Sequence, residues 1–214
     1  MGIEEPGANG DRIGTEDAAQ DPTETHVRAV ATRLFSELGY DAVSNQMIAN
    51  AVGVAVDVVT ESCGGKRALY VRAFEDANQR WRDHVQESAG RITPDADGLR
   101  QLINLYLDHC LEHPEMARLW IHRWLSDASD VAGLEERTSA LNMSQALEVI
   151  RPAVSPDVDP EALMLTLVWI VNGYLQSGFP DASGRATAPD TSDALGRFRR
   201  HLDQLIRLMT ASAR

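Results

Sequence analysis

A chain of 214 residues that is 43% apolar can bury a sizeable core without disulfides or metal, and its two cysteines, Cys63 and Cys110, form no CxxC pair. The longest apolar stretch, 162–171, is interrupted by Thr166 and is about half a membrane span, which excludes a membrane helix; the N-terminus is acidic where a secretory signal would be basic, so the expected location is a reducing cytoplasm. The formal net charge of −12 excludes a uniformly basic nucleic-acid coat, but the charge is unevenly spread: the first 24 residues hold seven acids against Arg12 alone, hence six net negative charges.

Residues 1–23 are polar and rich in acid, Gly and Thr, and read as a disordered acidic tail. Helical spacing then recurs along the chain. A first helix is predicted over 24–38, with Val27, Val30, Ala31, Leu34, Phe35 and Leu38 on one face and Gly39 as its stop. Ser44 suits the N-cap of a short helix that Gly53 ends, and a second short helix spans 55–62 before Gly64 and Gly65. A long helix over 66–88 carries the stripe Tyr70, Phe74, Ala77, Trp81 and Val85. Further helices are predicted at 95–112, 114–126, 131–153, 159–178 and 191–211, with Pro114 and Pro160 in first-turn positions and 180–190 as a connection. The expected fold is all-α: a three-helix head over 24–70, and a larger helical body over 71–214 reached through the long helix.

Two short helices around a glycine turn, braced by a third, make a helix-turn-helix. Gly53 allows the positive φ of that turn, Ile48, Ala49, Val52, Val54 and Val59 pack the helices, and the second helix is presented outward. The run SNQMIANAVGV, preceded by RLFSELGYDAV and followed by GGKRALY, resembles the N-terminal domain of TetR-type regulators over residues 25–70. The body is similar to that family only in helix count and length. The resemblance implies a homodimer, an inverted-repeat operator on double-stranded DNA, and repression relieved by a small-molecule effector. It also implies Ser44, Thr60 and Lys66 as phosphate contacts and Gln46, Val56 and Val58 as base-edge contacts, with Asn45 completing the DNA-facing set. The valines can touch thymine methyls but cannot hydrogen-bond.

The departures from that family pattern are Ala55 for Ser, Asp57 for a small residue, Thr60 for Tyr and Cys63 for Phe. Asp57 suits the positive end of its own helix, but Asp57 and Glu61 face a polyanion, and like charges about 4 Å apart repel by roughly 1 kcal/mol in water. Over 25–70, Arg28, Arg33, Lys66 and Arg67 only balance Glu37, Asp41, Asp57 and Glu61, so the head is neutral. A second reading therefore stays open: a degenerate homologue that binds a small molecule or a protein partner without sequence-specific DNA binding.

Enzymatic motifs fail on inspection. His109, Glu112 and His113 spell H-x-x-E-H, yet Pro114 puts His113 at a helix end and no motif supplies a third ligand. Gly64-Gly65-Lys66 lacks the preceding strand, the first glycine and the following Ser or Thr of a phosphate loop. No catalytic residue, metal or cofactor is expected. In the body, a pocket for a largely apolar ligand is expected between the helices at 95–112, 114–126, 131–153 and 159–178, lined by Tyr106, His109, Trp120, Trp124, Met143, Trp169 and Asn172. His122 and Asn142 are further polar groups among these aromatics. The helix at 159–178 is apolar nearly all round, which an outer helix of a monomer could not be. Leu163, Leu167, Ile170 and Tyr174, with Phe198, Leu202 and Leu205, are the expected homodimer interface, a four-helix bundle across a twofold axis. Ligand entry would then shift the long helix and change the separation of the two heads.

Overall fold

A computed structural model describes residues 22–180, 183–185 and 187–210, so nearly all of the expected acidic tail lies outside the described residues. Helix α1 (Pro22–Leu38) begins two residues before the expected start. Helix α2 (Asn45–Val52) starts where Ser44 is extended and its Oγ accepts the Met47 N–H at 3.2 Å. It stops at Gly53, whose φ of +84° is left-handed, and the Gly53 N–H closes onto the Ala49 carbonyl at 2.9 Å. The next segment is not an ordinary α-helix. It winds as a π-helix over Val58–Ser62, and the Cys63 N–H reaches the Val58 carbonyl at 3.2 Å, five residues back. Helix α3 (Gly65–Ser88) then runs from head to body.

In the body, α4 (Ala96–Glu112) is capped by the Asp95 carboxylate, which accepts the Gly98 N–H at 2.9 Å, and α5 (Pro114–Trp124) opens on its proline. The single helix expected over 131–153 is instead two, α6 (Leu134–Thr138) and α7 (Ala140–Ala153). The hydroxyls explain the break. Thr138 and Ser139 each donate back to the carbonyl four residues earlier, Leu134 and Glu135, at 2.8 Å, in competition with the helical ladder. Asp159 caps α8 (Pro160–Ser177), and α9 (Ser192–Thr210) ends the described chain.

Two apolar cores result. The body core joins Leu99, Leu102, Ile103 and Leu107 of α4 to Ile150 of α7, Leu163 and Leu167 of α8, and Phe198 and Leu202 of α9. The head core joins Val27, Ala31 and Phe35 of α1 to Ile48 and Ala49 of α2, to Val59, and to Leu69, Tyr70 and Phe74 of α3. It also takes Leu119 from α5, Ala128 and Val131 from the turns that follow, and Leu134 from the start of α6. Each such large side chain contributes roughly 1.5–3 kcal/mol when fully buried, so segment 125–134 is held firmly against the head.

A carboxylate and a guanidinium fix that joint. The two oxygens of Asp127 accept the backbone N–H groups of Tyr40 at 2.6 Å and Asp41 at 2.9 Å, in the α1–α2 turn. Arg123 donates to both Glu135 oxygens at 2.7 and 3.1 Å, to the carbonyls of Asp127 at 3.3 Å and Val131 at 3.0 Å, and to that of Ala128. Within this segment Ser126 and Ala128 hold positive φ of 69° and 56°, a conformation costing about 1–2 kcal/mol per L-residue that the surrounding bonds must offset. Asp127→Ala removes the acceptor of two head N–H groups and is expected to lower stability by about 1–3 kcal/mol. Urea denaturation of the two proteins measures this, and an unchanged midpoint would show that the turn is held by other contacts.

Candidate functional site

The head exposes a small, charge-balanced surface. Ser44, Gln46, Asp57, Thr60 and Glu61 are exposed, while Val56 and Val58 are half-buried and Val59 is wholly inside. Several residues of the expected DNA-facing set are already engaged within the chain. The Asn45 Oδ1 accepts the Lys66 N–H at 2.6 Å, tying the start of α2 to the start of α3. The Lys66 ammonium lies 4.0 Å from the centre of the Tyr40 ring, a cation–π contact. Gln46 donates to Asn50 Oδ1 at 2.8 Å, and Thr60 donates to the Val56 carbonyl at 3.3 Å.

The body contains a cavity of about 230 Å³ between α3, α4, α5, α7 and α8. Of the expected pocket residues, Tyr106, Trp120, Trp124 and Met143 line it. Trp169 does not; it is 53% exposed on the outer face of α8. Asn172 is buried behind the wall, where its Oδ1 accepts the Tyr106 hydroxyl at 3.2 Å. His109 is also outside the lining, 2% exposed and packed 5.4 Å from the Trp81 ring. Among the lining residues not expected from sequence are Asn78, Trp81, Leu102, Glu135, Ser139 and Met164. Asn78 had a signal: it falls four residues after Phe74 and three before Trp81, on the buried stripe of α3.

The cavity wall is aromatic with a short polar seam. Trp120 and Trp124 stack with ring centres 6.2 Å apart, and Trp81 meets Tyr106 edge-on at 5.4 Å. Asn78 donates to the Phe74 carbonyl at 2.9 Å, and Asn142 donates to Asn78 Oδ1 at 2.8 Å. Burial pushes the Tyr106 phenol well above its usual range and the Cys110 thiol up to about 12, so both are neutral and the thiol is no nucleophile. Among the described residues no group of three or more His, Cys, Asp or Glu is arranged to hold a metal ion.

The expected interface residues need a correction. Leu163, Leu167, Tyr174, Phe198 and Leu202 are buried in the chain's own core, and only Ile170 and Leu205 keep partial exposure. Tyr174 and Phe198 stack on each other at 3.8 Å, joining α8 to α9 within one chain. The outward stripe of α8 is instead Ala162, Thr166, Trp169 and Gly173, and α9 exposes Leu208 at 74%. A helix apolar on all sides carries no sign in its sequence of which side is already occupied.

No family model and no curated protein matches the chain. Solved structures do. A regulatory protein of the TetR family from Rhodococcus RHA1 is 18% identical, with a TM-score of 0.65 over 91% of this chain and 100% of that one. The fatty acid degradation regulator FadR from Bacillus halodurans is 15% identical, with a TM-score of 0.64 over 87% and 95%. The ketosteroid transcriptional regulator KstR2 of Mycobacterium tuberculosis is 16% identical, with a TM-score of 0.62 over 88% and 95%. The chain therefore has the all-α fold of these regulators along most of its length.

His109, buried beside the cavity but outside its lining, gives the fold a pH signature. Both ring nitrogens are buried without a hydrogen-bond partner, and desolvation, followed by the neighbouring His113 and His84, lowers its pKa to about 4. Between pH 6.5 and about 4 the unfolded chain binds a proton that the folded chain refuses, so stability falls as pH falls through that window. The expected loss is on the order of 2 kcal/mol, read from urea midpoints at pH 7 and pH 4.5. His109→Leu should flatten this dependence without loss at pH 7; an equal acid sensitivity in the variant would assign the effect to other groups.

Proposed function

We propose that the chain is a cytoplasmic, homodimeric regulator of the TetR type, a repressor released from an inverted-repeat operator by a small, largely apolar ligand. The domain division on this reading is a DNA-binding head over 24–70 and a ligand-binding and dimerisation body over 71–214. One observation carries it: Glu135 lines the cavity and also holds Arg123, whose remaining donors hold the carbonyls of the segment that seats the head turn. A ligand pressing on the cavity wall thereby acts on the element that positions the head. A coupling of about 1–3 kcal/mol between the two sites corresponds to a change in operator affinity of roughly 5–150-fold. This route through α5 and segment 125–134 works beside any movement of α3.

The outward stripe of α8, with Trp169 at its centre, and the exposed end of α9 support pairing across a twofold axis. Trp169 is the anchor: a large aromatic at the middle of an otherwise small-residue stripe suits the core of an interface. The exposed Asp57 and Glu61 favour the second reading, a ligand-binding protein whose head no longer reads DNA.

Titration of the purified protein onto its own upstream region, at several salt concentrations and with competitor DNA, separates the two. The expected result is a dimer that prefers an inverted repeat, a slope against salt that falls by about one in Lys66→Ala, and loss of both dimer and operator binding in Trp169→Asp. Equal binding to operator and competitor would favour the second reading. A monomeric mass at micromolar concentration would overturn the proposal.

A further inference from the structure

A second cleft, of about 460 Å³, lies at the seam between head and body and shares no lining residue with the aromatic cavity. It is bounded by α1 of the head, α5 of the body and α3, which belongs to both. Two ion pairs cross it: Arg28 of α1 meets Asp76 of α3 at 2.5 Å, and Arg80 of α3 meets Glu115 of α5 at 3.2 Å. These pairs use two of the three carboxylates in the lining. The buried Arg28 Nε and Nη1 and Arg80 Nε find no acceptor, so these guanidiniums act on the cleft through their charge, not by contact. Arg33 of α1 and Arg118 of α5 line the same cleft, are exposed, and make no ion pair or hydrogen bond among the described residues. The hydroxyls of Thr25 and Thr32 on α1 are likewise unengaged. Against these free donors stands one free carboxylate, Glu37. Four arginines against three acids leave the lining at +1, in a chain whose net charge is −12.

We propose that this cleft binds a compact polyanion of the phosphate class, held between Arg33 and Arg118, and that the bound anion clamps head to body. The class follows from the free groups. The planar guanidinium fork matches the oxygens of a phosphate, and the two threonine hydroxyls add donors of the same sense. The valence follows from their placement: the two free arginines stand on different helices and Glu37 opposes any anion, so a single negative charge meets only part of the site. A phosphate group carries about −1.5 to −2 at pH 7 on one centre, more than a carboxylate concentrates there. The volume falls within the roughly 300–1,000 Å³ of small-molecule sites and leaves room for an organic group on the phosphate. The clamp follows from where the arginines sit. Arg118 precedes Arg123 by five residues, which places it about 140° away around α5. The anion site and the Arg123 joint therefore hold one helix against the head from different sides. This proposal needs neither the aromatic cavity nor DNA, and stands apart from the function proposed for them.

The probe is inorganic pyrophosphate, titrated calorimetrically into the intact protein, with sulfate and chloride at matched ionic strength beside it. The expected result is one pyrophosphate per chain, bound more tightly than sulfate, with chloride giving no saturable signal. Arg33→Gln and Arg118→Gln should each weaken pyrophosphate binding by about tenfold. Both side chains are exposed and unpaired, so the variants should keep the urea midpoint of the unliganded protein. Pyrophosphate should raise that midpoint in the unmodified protein and not in the double variant. Arg67 and Arg137 line a different arginine-bearing cleft, and Arg67→Gln with Arg137→Gln serves as the control that leaves binding unchanged. An equal loss in that control would overturn the proposal by showing attraction to the arginines at large. Equal effects of pyrophosphate, sulfate and chloride would mean an adventitious ion only, and absence of binding at millimolar pyrophosphate would overturn the site outright. The ranking of the three anions on the unmodified protein decides the matter even where a variant does not fold.

Discussion

The guanidinium of Arg123 is the joint on which the two halves of this molecule depend. Its donors are divided between a carboxylate on α6 and three carbonyls of segment 125–134, a use of the planar fork that lysine could not reproduce. The pairing holds Glu135 below its usual carboxylate range and raises Arg123, as expected for a charge-assisted bidentate contact that is partly withdrawn from water. The segment it holds is not relaxed, since Ser126 and Ala128 sit at positive φ. Apolar burial of Ala128, Val131 and Leu134 and the Asp127 bonds to the head turn hold the same ten residues from the other side. A strained segment fixed at several points responds as a unit, which suits it to carry a displacement from body to head.

A second connection runs through aromatic rings. Phe35 and Tyr40 of the head meet Tyr70 at 5.2 and 4.7 Å, Tyr70 meets Phe74 at 5.1 Å, and Phe74 meets Trp120 at 4.9 Å, where the cavity begins. The chain of rings is continuous from the buried face of α1 to the cavity wall. Close-packed rings have no slack, and a tilt of Trp120 must be taken up by Phe74 or by the α5 backbone. The polar joint and the aromatic row leave the cavity at neighbouring positions of α5, Trp120 and Arg123, so α5 is as much a part of the head's support as α3.

Much of this was legible in the sequence because it is local. Ser44, Gly53, Pro114 and Pro160 mark helix ends through their own side chains or backbone constraints, and the stripe from Tyr70 to Trp81 shows which face of α3 is inside. Trp120 and Trp124, four residues apart, share a face of α5, and Tyr106 of α4 and Met143 of α7 meet them at the cavity. The losses have equally local causes. Hydroxyl back-bonding split the helix near Ser139, and α8 is apolar all round, so periodicity could not say that Leu163 and Leu167 point inward and Trp169 outward. Arg123 and Glu135 are twelve residues apart and look like any surface charges. Only the segment between them brings them together, and two of its three positive-φ residues, Ser126 and Ala128, are not glycine, so Gly133 alone does not announce the turn.

On the proposed function, the weakness of the head's field becomes part of the mechanism. A neutral head with Asp57 and Glu61 exposed gains little from counterion release, the term that supplies most non-specific affinity for DNA. Contact must then come from shape and from apolar touches by Val56 and Val58, which are half-buried and short. Such a head holds DNA usefully only when a second head is placed at the matching spacing, because pairing raises the effective concentration of the second contact. That gain is lost when the spacing no longer fits. A strongly basic head would stay bound to any duplex through a small misalignment, whereas two weak heads turn the same misalignment into release. The lack of net positive charge on the head, which first argues against DNA, is therefore also what would let a small displacement at Arg123 act as a switch.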